Sequence, residues 1–398
     1  MKKLLLIALG LAMILTAVAC TTNEGEKSTT GNTDAPTDPT TETPTEEPTE
    51  EPEDPKPLPE TEVSVAEHTG DIFRQLGRTY VKDNVLNVDF ACGGIHFAAN
   101  CEGDVKVQIN SAKDTRFTIF VDGVRSDLRL QVTSSNSGQY FTIARNLPRG
   151  EHDFRLISQT QFIWTYGSIG NVKIQGEFLD KPADRELYLE FYGDSILNGS
   201  NVLVAGGGIN ASDATQAFGF VTAEMMNADM SLIGCSSIGL TTNSRSFVMK
   251  DIWNYAGARY SAFSTSKEEH LLPGIPEWDF SRVPSAVIIE QGVNDKNNAS
   301  KTIFVNAVKE MVDNLRSKYG ADVPIVFPVG YSQPTWAYNT ALPQIIEDLG
   351  GASANLYICE LSDAATGVPN GDGTHPGVES TKKMAEELSA FLETVIKK

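Results

Sequence analysis

From Leu187 onward the chain alternates short apolar runs with stretches of helical periodicity, and that alternation leaves few folds open. Apolar runs at 187–193, 231–235, 286–289, 325–329 and 356–361 read as buried strands, while 214–228, 302–319, 338–349 and 378–396 carry helical patterns. The last of these places Met384, Leu388, Phe391, Leu392 and Val395 on one face and charges on the other. Strand and helix taken in turn over about 210 residues imply a parallel sheet covered by helices on both sides. No internal repeat is visible.

The stretch before it follows another rule. Residues 63–180 hold short alternating runs at 85–90, 105–109, 117–121, 140–143, 152–157 and 172–174. Turn-forming residues separate them, among them Asp122-Gly123 and Arg149-Gly150, and no helix of useful length intervenes. An antiparallel β-sandwich is the expected result. Two domains are therefore predicted, 63–180 and 185–398.

Residues 1–20 read as an export signal. Lys2 and Lys3 precede an apolar core at 4–16 that is short for a membrane span. Small residues then lead to Cys20, as in a bacterial lipoprotein signal, although Ala17 stands where Leu is usual; an ordinary secretory signal is the alternative. Lipid on Cys20 would anchor the chain to the outer face of the membrane. Residues 21–62 are Thr, Pro and Glu with almost no apolar side chains, and are expected to be a disordered linker. Their 13 acidic and 2 basic residues supply 11 of the 20 net negative charges. The acidity thus belongs to a tether more than to a binding surface, and with no basic stripe in either folded part nucleic acid is not expected as a partner.

Chemistry gathers after the strands. The run 187–193 leads into Gly193-Asp194-Ser195, and in an open α/β sheet ligands bind at the carboxyl edge of the strands. Ser195 therefore stands where a nucleophile belongs. Gln291-Gly292-Val293-Asn294-Asp295 follows the strand at 286–289, so the Asn294 amide can donate to developing negative charge. Gly239, with Gly234 as its rival, follows another strand and offers a backbone N–H. Asp372 stands three residues before His375, a spacing that lets a carboxylate reach the imidazole and fix its tautomer. Each residue also has an ordinary reading. Asp194 suits a turn cap, Asn294 a turn, His375 a loop, and Asp372 a solvated position that leaves a backbone carbonyl to orient the imidazole. Their conjunction in one domain is serine-hydrolase logic, which requires no metal and no cofactor; no His or Cys stands at ligand spacing.

Together these motifs resemble the conserved blocks of the GDSL, or SGNH, hydrolase superfamily. With a β-domain ahead of them, the chain resembles the second family of carbohydrate esterases, the acetylxylan-esterase-like enzymes. Weaker matches are Leu76-Gly77-Arg78, the run 147–152 and Trp278-Asp279-Phe280-Ser281. The resemblance covers about 70–398. It implies a three-layer, flavodoxin-like SGNH hydrolase domain behind a jelly-roll, with Ser195 as nucleophile and His375 as general base. Ser195 N–H, Gly239 N–H and the Asn294 side chain would form the oxyanion hole. It further implies an O-acetylated polysaccharide as substrate, in keeping with the surface location read from residues 1–20; the chain is expected to act as a monomer. Leu197, Gln291 and Val293 depart from the usual pattern, beside the reacting atoms. A lipase- or thioesterase-like acyl hydrolase and a non-catalytic glycan-binding lipoprotein are the alternatives. Trp164, Trp253, Trp278 and Trp336 suit sugar stacking or core anchoring. Cys92 and Cys101 are a candidate disulfide, and Cys235 and Cys359 read as buried thiols.

Overall fold

The computed structural model describes residues 56–241, 246–261, 266–295, 300–330, 341–362 and 374–397. Cys20, the export signal, most of the linker, Trp336 and Asp372 lie outside them. The N-terminal domain is an antiparallel β-sandwich built from ten strands. These are β1 (Glu60–Ser64), β2 (Arg74–Leu76), β3 (Tyr80–Lys82), β4 (Val85–Val88) and β5 (Gly94–Ser111). Then come β6 (Thr115–Val121), β7 (Val124–Arg125), β8 (Leu130–Val132), β9 (Gln139–Ser158) and β10 (Gly167–Phe178). Glu60–Ser64, partly within the stretch that composition reads as linker, already pairs with β10.

Two strands carry the sandwich. β5 has 18 residues and β9 has 20, and they pair antiparallel along most of their length. Shifts of register between Cys101 and Lys106 bend the pair, so one hydrogen-bonded sheet folds over its own core. Phe73, Phe97, Ile109, Phe117 and Phe154 fill that core. The expected turn at Arg149-Gly150 is therefore absent: both residues lie inside β9, where Gly150 pairs with Cys101. The cysteine pairing fails for a related reason. Cys101 faces the sandwich core from β5, whereas Cys92 sits in a turn at positive φ and packs with Leu189 and Phe191 of the other domain. Cys92, Cys101, Cys235 and Cys359 are all buried and none is in a disulfide.

The C-terminal domain is the parallel α/β sheet expected of it. Its strands are β11 (Leu187–Gly193), β12 (Ala228–Gly234), β13 (Ala286–Glu290), β14 (Ile325–Val329) and β15 (Leu356–Glu360), in spatial order 12-11-13-14-15. Five helices are described: α1 (Phe218–Met225), α2 (Lys267–His270), α3 (Lys301–Tyr319), α4 (Leu342–Asp348) and α5 (Val378–Val395). Successive strand residues point to opposite faces, and this sorts the core. Tyr192, Val287, Ile289 and Phe327 meet α3 and α4 on one side, while Leu189, Phe191, Ile288 and Val326 meet α1 and α5 on the other. The β-sandwich enters both layers, with Phe90 and Phe162 in the first and Phe120 and Ile157 in the second.

Candidate active site

The strand order makes β11 a branching point. The chain leaves β11 toward β12 on one side, and β13, β14 and β15 build away on the other. Loops that leave adjacent strands in opposite directions open a crevice at the carboxyl edge, where ligands of open α/β sheets bind. Ser195 follows β11 and Asn294 follows β13, so the two flank that crevice. Gly193 pairs with Glu290 on one side and Gly234 on the other.

Backbone space explains Gly193. A Cβ there would lie 2.7 Å from a Glu290 carboxylate oxygen and 2.6 Å from the Leu197 side chain. The chain then coils through one turn, with Asn198 N–H bonded to Asp194 O at 3.1 Å and Ser200 N–H to Ser195 O at 2.9 Å. Ser195 is 7% exposed and Asp194 fully buried. Asp194 is more than a cap. Its Oδ1 accepts Ile196 N–H at 2.9 Å and, more loosely, the Ser195 hydroxyl at 3.4 Å. Its Oδ2 accepts Asn294 Nδ2 at 2.7 Å. Burial pushes its carboxyl up to about 6, against the Ile196 N–H and the nearby His375, which both favour the carboxylate.

Asn294 Nδ2 also donates to Ile238 O at 3.0 Å, so one amide ties the serine turn to the loop after β12. Gly239 lies in that loop. A Cβ on it would come within 2.8 Å of the Asp295 carboxylate, which accepts Thr241 N–H at 2.6 Å and Leu240 N–H at 3.3 Å. Gly234 needs its missing side chain for a different reason: a Cβ would fall 1.8 Å from Gly193 O, where β11 and β12 approach. His375 is half-buried just ahead of α5, within electrostatic reach of Asp194. Asp372, its expected orienting partner, lies outside the described residues.

Two parts of the site escaped the sequence reading. Glu290, fully buried, accepts Asp194 N–H at 2.8 Å. Gln161 comes from the β-sandwich. Its Nε2 donates to Ser236 Oγ at 2.8 Å and Ser200 Oγ at 3.3 Å, and its Oε1 accepts Ser236 N–H. Ser200 and Ser236 are themselves 2.7 Å apart, one on the loop after Ser195 and the other on the Gly239 loop. Glu290 could have been flagged as a charged end to an otherwise apolar strand; Gln161 left no signal. Among the tryptophans, Trp253 is buried in the core and Trp278 lies beside the Arg78 guanidinium. Trp164 is half-buried near Ile163 and Ile209. Among the described residues no group of three or more His, Cys, Asp or Glu side chains could hold a metal ion.

Comparison with known proteins agrees with this architecture. The family model for GDSL-like lipase/acylhydrolase matches residues 189–388, and the model for the N-terminal domain of carbohydrate esterase 2 matches 76–182. A curated relative, cellulase/esterase CelE of Acetivibrio thermocellus, is 27% identical over 312 residues; the match spans 73% of this chain but 35% of that protein. Two solved structures share the fold across nearly their whole length. A family two carbohydrate esterase from Clostridium thermocellum, in complex with cellohexaose, superposes with TM-score 0.66 at 22% identity, covering 81% of this chain and 98% of its own. An acetyl xylan esterase from the rumen bacterium Butyrivibrio proteoclasticus gives 0.68 at 19% identity, covering 84% and 98%. On the span of the first match and the order of its strands and motifs, the chain belongs to the GDSL-like lipase/acylhydrolase family, with a β-domain of the carbohydrate esterase 2 type in front of the hydrolase fold.

Proposed function

We propose that the chain is a serine esterase that removes O-acetyl groups from polysaccharide. One observation carries the reading: the Ser195 turn, the Asn294 amide and the Gly239 loop are hydrogen-bonded into one unit at the branching point of the sheet, with His375 alongside. In the proposed mechanism His375 takes the Ser195 proton as Oγ attacks the acetyl carbonyl. The oxyanion is met by Ser195 N–H, Gly239 N–H and Asn294 Nδ2, the last exchanging its bond to Asp194 for one to substrate. Collapse releases the sugar hydroxyl, protonated by His375, and leaves acetyl on Ser195. His375 then activates water, and acetate departs. Asp372, or a backbone carbonyl, orients His375.

The substrate class follows the matched β-domain model and the relatives, whose names describe carbohydrate esterases. Export, a lipid on Cys20 and the acidic tether would hold a monomeric enzyme at the cell surface, within reach of polysaccharide. Acetate release from acetylated xylan, mannan, pectin and peptidoglycan tests the reading. Ser195→Ala is expected to lower turnover by at least about 10³-fold. Unchanged turnover in that variant would remove Ser195 from the chemistry. A preference for para-nitrophenyl octanoate over acetate would replace the substrate class with a longer acyl chain, as the lipase part of the family description allows.

A further inference from the structure

We propose that the turn at Trp164, between β9 and β10 of the β-sandwich, binds a sugar ring of the polysaccharide outside the reacting acetyl group. That this ring belongs to the substrate rests on the esterase reading. A cavity of about 330 Å³ lies there, lined by Ile163 and Trp164 of the turn and by Gly208 and Ile209 of the α/β domain, with Lys113 and Asp114 completing it. Ligand pockets run from about 300 to 1,000 Å³, so the space suits one ring and not a long acyl tail. Its lining is mostly apolar with one cation and one anion. A pyranose matches that division: its C–H face packs on an aromatic ring, and its hydroxyls reach charged groups beside it.

Both walls of the cavity are tied to the candidate active site. Trp164 N–H donates to Gln161 O at 3.1 Å, and the Gln161 side chain bonds Ser200 and Ser236 on the two site loops. On the other wall, Leu203 N–H to Ala211 O at 2.9 Å closes the loop that carries Gly208 and Ile209. Asp213 N–H to Gly199 O at 3.1 Å then returns that loop to the Ser195 turn. The Trp164 turn is also fixed in advance. Thr165 Oγ1 lies 2.9 Å from Thr115 Oγ1, and Ile163 packs against the core of the α/β domain. A preformed site spends little binding energy on ordering itself. The other described tryptophans are taken up by the fold: Trp253 packs 5.5 Å from the Phe280 ring, and Trp278 lies 5.3 Å from the Arg78 guanidinium. Trp164 is half-buried, and among the described residues no ring stacks on it and no acceptor meets its indole N–H. It is the aromatic face left over for a ligand.

Calorimetric titration with the hexaoses of xylose, glucose, mannose and galacturonic acid reads binding without any need for turnover. At least one is expected to bind the wild type, and Trp164→Ala to weaken it by roughly 3–10-fold. Trp164→Phe keeps an aromatic face and should retain most of the affinity. Ile209→Glu leaves Trp164 in place but fills the cavity from the opposite wall, and should weaken binding as the Ala variant does. In turnover, KM for the acetylated polysaccharide is expected to rise by the same factor in the Ala and Glu variants with kcat little changed. Hydrolysis of para-nitrophenyl acetate, which has no sugar ring, should stay at the wild-type rate. The proposal is overturned if no hexaose binds the wild type, if the Ala variant binds as tightly as the wild type, or if para-nitrophenyl acetate hydrolysis falls in step with that of the polymer. Should the wild type release acetate from no polysaccharide, the esterase reading fails, and the titrations still decide whether Trp164 holds a sugar.

Discussion

The β-sandwich reaches into the α/β domain at Arg78 and again at Gln161, and the two insertions are built from opposite chemistry. Arg78 is a buried charge. Its guanidinium donates to Glu190 at 3.0 Å, to Tyr192 OH at 2.8 Å and to the carbonyls of Trp253 and Tyr255 at 2.6 and 3.0 Å. Glu190 is completed by the hydroxyls of Tyr188, Tyr192 and Tyr319. Burial works most strongly against the Arg78 charge, and Glu190 together with Tyr192, Tyr188 and Tyr319 outweighs it. Gln161 is neutral and holds two serines on the loops that flank the proposed oxyanion site. Removing one partner of a buried ion pair leaves an uncompensated charge, whereas an amide can be lost at modest cost. Arg78 therefore bears on whether the two domains hold together, and Gln161 on how well the site is aligned.

The comparison breaks first at Arg78. Arg78→Met leaves Glu190 buried without its cation and is expected to cost about 3–5 kcal/mol of stability, read by chemical denaturation. Adding Glu190→Leu should recover much of that loss, and a double variant no better than the single one would refute the pairing. Gln161→Leu is expected to cost only about 1–3 kcal/mol but to lower kcat several-fold at unchanged KM. Unaltered kcat would make Gln161 a packing residue and limit the β-domain to architecture.

The smallest effect is one of pH. Arg155 and Arg185 bind Glu224, and Arg74 and Arg282 bind Asp229, around a cavity of about 350 Å³ where the domains meet. Burial raises both carboxyls, but hydrogen bonds from these arginines outweigh it and hold them below their usual values. A depressed folded-state value means the stabilisation is complete above the ordinary carboxylate range and disappears as pH falls through the lowered value. Tm is thus expected to drop on acidification below about pH 4, and to drop less in Glu224→Gln. Equal acid sensitivity in both proteins would take Glu224 out of the explanation.

Periodicity made the α/β domain legible. The ends of β14 coincide with those read from the apolar pattern, and α3 and α5 begin or end within one residue of theirs. The sandwich was harder. Arg149-Gly150 has turn-like composition, yet β5 pairs with that backbone and keeps it extended. Cys92 and Cys101 are close in sequence, but the turn that holds Cys92 and the strand that holds Cys101 deliver them to different cores.

What the sequence determined by itself was the order of strands and helices, with Ser195 and Asn294 after buried strands and His375 just ahead of the last helix, because side-chain periodicity and turn chemistry act over a few residues. What only the tertiary structure decided was which distant groups would face one another. Glu290 lies 96 residues from the Asp194 N–H it accepts, Gln161 75 from Ser236, and Arg78 112 from Glu190. Such bonds leave no local pattern. They form where strand order and register bring two buried polar groups together, and burying a polar group without a partner costs free energy.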